Sequence, residues 1–263
     1  MESGSGVPLH FSALVRNGGT TRFQHVGAGE HREAEAWSGS RGAREHSAVP
    51  EHTELPSAPG KRVIRLGFLA SHRGSNVEAV VDGCRSGLIH ARPTVVISNN
   101  GGSGALQRAE KEGISGYCLN SAKFPIPDQL DQSILGALSR HGVDLVILAG
   151  YLKKLGPKTL QAYRGRIINI HPALLPKYGG QGLFGLAIHR AVLAAGETET
   201  GVTIHIVDEE YDHGAILVQR TVPVLPGDTP ESLSERLLPV EHGLLVETVA
   251  QIVNGTIALP YGL

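Results

Sequence analysis

The chain has 263 residues, 41% of them hydrophobic, with 24 Lys and Arg against 25 Asp and Glu, a net charge of −1 and a pI of about 6.9. That balance excludes the basic footprint of a nucleic-acid binder and the uniform acidity of a solvating tail, and no apolar run approaches the roughly 18 residues of a membrane span. Two cysteines, Cys84 and Cys118, are too few for a disulfide framework and point to a reducing compartment, the cytoplasm.

Residues 1–60 hold nine glycines, seven serines and five histidines, without a period of 2 or 3.6. Such a segment cannot bury enough apolar surface to offset the entropy of ordering and reads as a disordered N-terminal extension. It lacks the unbroken apolar stretch of a secretory signal, and its seven acids argue against an organelle transit peptide. Leu55 to Gly60 reads as a linker into a domain spanning 61–263. Val63 to Ala70 is a first strand, closed by a turn at Ser71 to Gly74. A helix follows, with Val77, Val80, Val81 and Cys84 on one face. Thr94 to Ser98 is a strand, Ala105 and Ala109 belong to a helix ended by Gly113, and Gly116 to Leu119 is a strand. A helix is expected from Asp128 to Arg140, then the most apolar strand, Val143 to Ala149. Strands alternating with helices predict an α/β fold with a mostly parallel, doubly wound sheet.

After Gly150 the rhythm changes. Arg166 to Ile170 is a strand, followed by a Pro/Gly-rich loop to Gly185 and a helix from Leu186 to Ala195. Gly201 to Val207, Ala215 to Gln219 and Thr221 to Val224 read as further strands, antiparallel in arrangement. A long C-terminal helix runs from Pro230 to Val253, capped by Asp228 or Thr229 and stopped at Asn254-Gly255, with a kink expected at Pro239.

Three places carry chemistry. At Ala70-Ser-His-Arg-Gly-Ser-Asn76 a strand turns into a helix. The N-terminal N–H groups, the Ser75 hydroxyl and the Asn76 amide could form an anion site, and an ordinary turn with Ser75 as N-cap explains the pattern equally well. Neither G-x-G-x-x-G nor a Walker lysine is present. At Asn169-Ile-His171, residues i and i+2 of a strand share a face, so an amide and an imidazole sit together at a strand's C-terminal end, where open α/β sheets place ligands. Two such donors suit the oxyanion of an acyl-transfer intermediate. Asp208-Glu-Glu-Tyr-Asp-His-Gly214 reads by default as a solvated turn. If Asp212 folds back beside His171, it favours the imidazolium. His205 and His213 hint at a metal, but no ligand spacing supports one.

Taken in order, Ser75-Asn76, Asn169-x-His171 and Asp212 resemble the phosphoribosylglycinamide formyltransferases over residues 63–260. Ile167-Ile-Asn-Ile-His-Pro-Ala-Leu-Leu-Pro-Lys177 is similar to the wider formyltransferase group. Gly201-Val-Thr-Ile-His205, Gly227-Asp228 and Glu241-His242 match the glycinamide ribonucleotide branch. The resemblance implies a Rossmann-like nucleotide-binding half over about 63–165 and a folate and catalytic half over about 166–260. It implies Asn169, His171 and Asp212 as the catalytic trio, and Gly74, Ser75 and Asn76 as a phosphate loop, with Glu241 on the glycinamide end. A folate site follows from Leu152, Lys153, Lys154 and Leu155, joined by Asn169, Glu209 and Asp212. The implied substrates are glycinamide ribonucleotide and 10-formyltetrahydrofolate, with no metal, no nucleic acid and no membrane, in a monomer or homodimer. Three departures stand out. His72 replaces a glycine of the phosphate loop, Pro125-Ile-Pro127 stands where the family often has a folate-contacting arginine, and Tyr178 to Gly185 lengthens a loop.

The implied reaction is formyl transfer to a primary amine in purine synthesis, with Asn169 and a protonated His171 stabilising the oxyanion and Asp212 keeping the imidazole charged. A formyltetrahydrofolate hydrolase shares the trio but carries a regulatory N-terminal domain, which a disordered extension does not supply. A formyltransferase acting on initiator tRNA would need a basic surface, and residues 61–263 are balanced at 19 Lys and Arg against 18 Asp and Glu. A non-catalytic nucleotide-binding module has no use for Asn-x-His with a remote Asp.

Overall fold

A computed structural model describes residues Arg62–Leu263. The expectation of a disordered extension over 1–60 lies outside the described residues. Seven strands form one sheet: β1 (Ile64–Leu69), β2 (Ala91–Ser98), β3 (Ser115–Cys118), β4 (Leu145–Leu148), β5 (Ile167–His171), β6 (Glu199–Ile206) and β7 (Ile216–Pro223). Their spatial order is β3-β2-β1-β4-β5-β6-β7, parallel from β3 to β5 and antiparallel from β5 to β7. The helices are α1 (Ser75–Arg85), α2 (Gly104–Lys111), α3 (Pro127–Arg140), α4 (Pro157–Ala162), α5 (Leu186–Ala194) and α6 (Pro230–Asn254). The mostly parallel sheet, its antiparallel end and the long last helix match the sequence reading.

Period-2 alternation splits the strands between two cores. Leu66, Phe68, Val96, Leu145, Ile147, Ile168 and Ile170 face the side covered by α1, α2, α5 and α6. Leu69, Val95, Ile97, Val146, Leu148 and Ile167 face the side of α3 and α4. The same pleat places Asn169 and His171 on the face of Ile167, at the C-terminal end of β5.

Four local details follow from the structure. α4 adds an element to the sequence reading: Pro157 takes the first helical position, where its missing N–H costs nothing. The strands expected at 215–219 and 221–224 are one strand, β7, continuous through Arg220. α6 is helical across Pro239, with buried Leu233, Leu237, Leu244, Leu245 and Val249 on its inner face, and of the two candidate caps Thr229 is the one that caps it. The N-cap of α1 is Gly74, not Ser75; its φ of 73° is left-handed and no side chain caps the turn.

Candidate active site

The turn after β1 is shaped by close approach. A β-carbon on Gly74 would lie 2.6 Å from Ala105 Cα, and the left-handed φ penalises one further. His72, the departure from the family's glycine, is not among the residues with positive φ, so the turn does not need glycine there. Because Gly74, not Ser75, stands at the N-cap of α1, no N-cap side chain occupies the first N–H groups of the helix. Asn76 is buried, and its Nδ2 donates to Glu241 Oε2 at 3.1 Å while its Oδ1 is buried without a partner. The expected phosphate loop and glycinamide contact are thus joined by one hydrogen bond. Burial pushes the Glu241 carboxyl up to about 7, against the opposing pull of Asn76.

At the end of β5 the trio converges. β6 runs antiparallel to β5, with Asn169 opposite His205 and His171 opposite Thr203. The chain therefore leaves β6 at the start of β5 and must fold back to bring Asp212 to its end. Asp212, at φ 54°, makes that reversal, and short acids tolerate the left-handed region better than most residues. His171 Nδ1 stands 3.6 Å from Asp212 Oδ2, and Asn169 Nδ2 lies 3.4 Å from Asp212 Oδ1. Both histidine and carboxylate are largely enclosed, with side-chain exposures of 5% and 12%.

The hydrogen-bond directions follow from chemistry. His171 Nε2 is 2.9 Å from the Tyr178 carbonyl, which can only accept, so that nitrogen carries the proton and Nδ1 faces Asp212. His205 Nδ1 likewise donates to the Ile206 carbonyl at 2.9 Å, leaving its Nε2 to accept from Asn169 Nδ2 at 3.1 Å. The amide hydrogens of Asn169 are thus shared between His205 and Asp212. Burial holds the His171 imidazole below its ordinary value; the Asp212 charge and the Tyr178 carbonyl oppose this, and His205 adds to it. The standing imidazolium expected from sequence is not what the site favours, because burial outweighs the carboxylate. Asp212 feels the same burial, yet His205, His171 and the Gly180 N–H hold its carboxyl below the usual carboxylate range.

The expected folate segment borders this cluster. The Leu152 N–H donates to Ser71 Oγ at 2.9 Å, and Ser71 N–H donates to the Gly150 carbonyl, so the segment lines the crevice between β1 and β4 where the strand order reverses. Leu155 is buried, Lys153 is exposed, and Lys154 Nζ lies 5.7 Å from the Tyr211 ring centroid, linking the segment to the Asp212 loop. Glu209 is exposed on that loop. A cavity of about 230 Å³ opens beside Asp212, lined by Leu175, Pro176, Gly179, Tyr211 and Ile216 among others. Among the described residues no group of three or more His, Cys, Asp or Glu could hold a metal ion, and no helix is long and apolar enough to cross a membrane. His205 and His213 are far apart in role: one is buried against Asn169, the other exposed and bonded to Asp208.

Sequence reasoning did not place four groups that lie around the trio. His205 needed the β5–β6 register to be placed. The Tyr178 carbonyl and Gly180 N–H are backbone groups, signalled only by the glycine pair after the strand. His189 on α5 is buried, with its Nδ1 unpartnered, and burial together with nearby His171 keeps it below its ordinary value.

The formyl transferase family pattern matches residues 64–249. The chain is 42% identical over 189 residues to an Arabidopsis thaliana phosphoribosylglycinamide formyltransferase described as chloroplastic, covering 72% of this chain and 65% of that protein. It is 32% identical over 196 residues to the phosphoribosylglycinamide formyltransferase of Escherichia coli, covering 74% of this chain and 90% of the relative. Its fold superposes on the crystal structure of glycinamide ribonucleotide transformylase 1 from Symbiobacterium toebii with a TM-score of 0.70 and 37% identity, over 75% of this chain and 94% of that one. The chain spans about two thirds of the length of the plant relative.

Proposed function

The chain belongs to the formyl transferase family, and from that premise we propose that it transfers the formyl group of 10-formyltetrahydrofolate to the amine of glycinamide ribonucleotide in purine synthesis. The observation that carries this reading is the convergence of Asn169, His171 and Asp212 at the C-terminal end of β5, beside an uncapped helix start suited to a phosphate. Folate would occupy the crevice bordered by Leu152, Lys153, Lys154 and Leu155, with Glu209 at its rim. The ribonucleotide would place its phosphate on Gly74, Ser75 and Asn76 and its glycinamide end near Glu241.

The amine attacks the formyl carbon, a new C–N bond forms, the bond to folate N10 breaks, and the amine's proton ends on N10. The formyl oxygen gains negative charge as the tetrahedral centre forms. Asn169 meets it by giving up its 3.4 Å contact with Asp212, the longer of its two hydrogen bonds and the cheaper to exchange. His171, neutral and with its proton fixed on Nε2, offers Nδ1 to the proton leaving the amine. The imidazolium so formed lies beside the Asp212 carboxylate and adds positive charge near the oxyanion, and as the bond to N10 breaks it passes that proton to N10 and returns to the neutral ring. No covalent enzyme intermediate is required. The protein acts as a monomer or homodimer on small molecules, without nucleic acid or membrane. We place it in the cytoplasm, where free thiols such as Cys84 and Cys118 suit the reducing environment.

A formyl-transfer assay with purified protein tests this. Loss of formyl-folate that depends on glycinamide ribonucleotide supports the reading. Equal loss without the ribonucleotide assigns a folate hydrolase instead, and no loss in either case refutes both.

A further inference from the structure

Tyr178 is an oddity beside the trio. It is a non-glycine residue in the left-handed region, φ 59°, followed by Gly179 and by Gly180 at φ 104°. A side chain there is unfavourable, so the rest of the structure must hold it in place. The hold comes from outside the site. The phenol donates to Glu197 Oε1 at 2.8 Å, Lys177 Nζ reaches the same oxygen at 2.9 Å, and the ring packs partly against the core. The backbone fixed in this way faces inward. The Tyr178 carbonyl accepts from His171 Nε2, and the Gly180 N–H donates to Asp212 Oδ2 at 3.0 Å. Between them Gly179 leaves no slack: a β-carbon there would lie 2.6 Å from Leu175 Cδ2 and 3.0 Å from Asp212 Cβ.

We propose that residues 178–180, fastened by the Tyr178–Glu197 hydrogen bond, form a positioning element that fixes the tautomer of His171 and the aim of Asp212. The carbonyl requires a proton on Nε2, and this leaves the Nδ1 lone pair toward the carboxylate. The N–H of Gly180 sets where that carboxylate points. One strap therefore orients both members of the proton-handling pair, and the loop from Tyr178 to Gly185 gains a purpose beyond connection. The effect on turnover rests on the formyl-transfer role proposed for His171; the effect on the ring itself does not. The other ionisable groups facing His171 are Asp212 from the β6–β7 loop, His205 from β6 and His189 from α5.

The test uses the full chain with ¹⁵N-labelled histidine, followed by NMR through a pH titration. The variants are Tyr178→Phe, Glu197→Ala and Glu197→Gln. In the parent protein neutral His171 should show a single tautomer, protonated at Nε2. In Tyr178→Phe it should become a mixture, and its pKa should fall by about one unit, since the carbonyl bond favours the charged ring. The kcat should drop about tenfold while KM for both substrates stays within about twofold, the mark of an interaction made in the transition state. Glu197→Ala should reproduce these changes. Glu197→Gln, which keeps an acceptor for the phenol, should recover most of the loss. A folded Tyr178→Phe protein with unchanged tautomer, pKa and kcat overturns the proposal. If that variant does not fold, the same three readings on Glu197→Ala decide. A parent protein that formylates nothing but shows the tautomer shift sinks the proposed function and leaves the strap standing. An active parent without the shift does the reverse.

Discussion

Replacing Asp212 by asparagine isolates its charge. Asparagine tolerates the left-handed backbone at φ 54° and keeps an oxygen for the Gly180 N–H, so the fold and the loop should survive. What disappears is a negative charge 3.6 Å from His171 Nδ1, which at an effective dielectric constant of about 20 is worth about 5 kcal/mol. At 1.36 kcal/mol per pKa unit that is an upper bound of roughly three units on His171, and a drop of about one to three is expected. The direction is settled by the structure: the carboxylate raises the imidazole's pKa, so removing it lowers a value that burial already depresses. A weaker base that is no longer stabilised when charged should cost kcat on the order of 10²-fold or more, with substrate affinities nearly unchanged. Single-turnover kinetics and NMR titration of His171 check both halves. The acid limb of kcat/KM should move to lower pH along with the histidine. An unmoved His171 pKa with near-normal turnover would remove Asp212 from the mechanism and return Asp208 to Gly214 to ordinary surface. Glu209→Gln, in the same loop but exposed, should have a mild effect.

Three further outcomes are expected. Gly74→Ala should lower Tm and raise KM for glycinamide ribonucleotide, because the new methyl meets Ala105 and the left-handed backbone adds about 1 kcal/mol of strain; unchanged KM would separate this turn from the phosphate. Glu241 titrates at about 7 in the folded protein and near 4.5 in the unfolded chain, so the native state binds the extra proton between these values. Its contribution is favourable below 4.5 and is lost as pH rises through 7; Glu241→Gln should flatten the fall in Tm across that window, and an identical slope in parent and variant would place the carboxyl in water. Thr229→Ala should cost about 1 kcal/mol by removing the side chain that accepts from Ser232 N–H at the start of α6, read as a shift in the denaturant midpoint.

The legible parts of this molecule are those governed by local periodicity. β5 could be read because Ile167, Asn169 and His171 share a face by alternation alone. α4 could not, because what starts it lies elsewhere: buried Asp131 on α3 accepts from the N–H groups of Lys158 and Thr159, a cap supplied across more than twenty residues of sequence. β7 looked broken at Arg220 because a charged residue interrupts its apolar run. The strand is the sheet's edge, and Arg220 Nη2 pairs there with Glu247 Oε2 of α6 at 2.7 Å. Ser75 looked like a cap by residue type, but the steric demand of Ala105 gave that position to Gly74. The site follows the same division. Asn169 and His171 were visible and Asp212 was inferred through resemblance, while His205 depended on a register that no single strand reveals.

The arrangement around Asp212 explains why the chain departs from local rules here. Two left-handed non-glycine residues, Tyr178 and Asp212, face each other across the cluster, each unfavourable alone. Asp212 lies within reach of His171, His205, Asn169 and the Gly180 N–H, and Tyr178 is bound at both its phenol and its carbonyl. A carboxylate drawing on four neighbours can be buried and still stay ionised, which is what the lowered Asp212 pKa requires. A histidine between that carboxylate and a fixed carbonyl can be buried and neutral yet become charged without moving either partner. Charge can then appear on His171 during the reaction with little reorganisation of its surroundings, and that is the condition under which an enclosed polar site lowers a barrier.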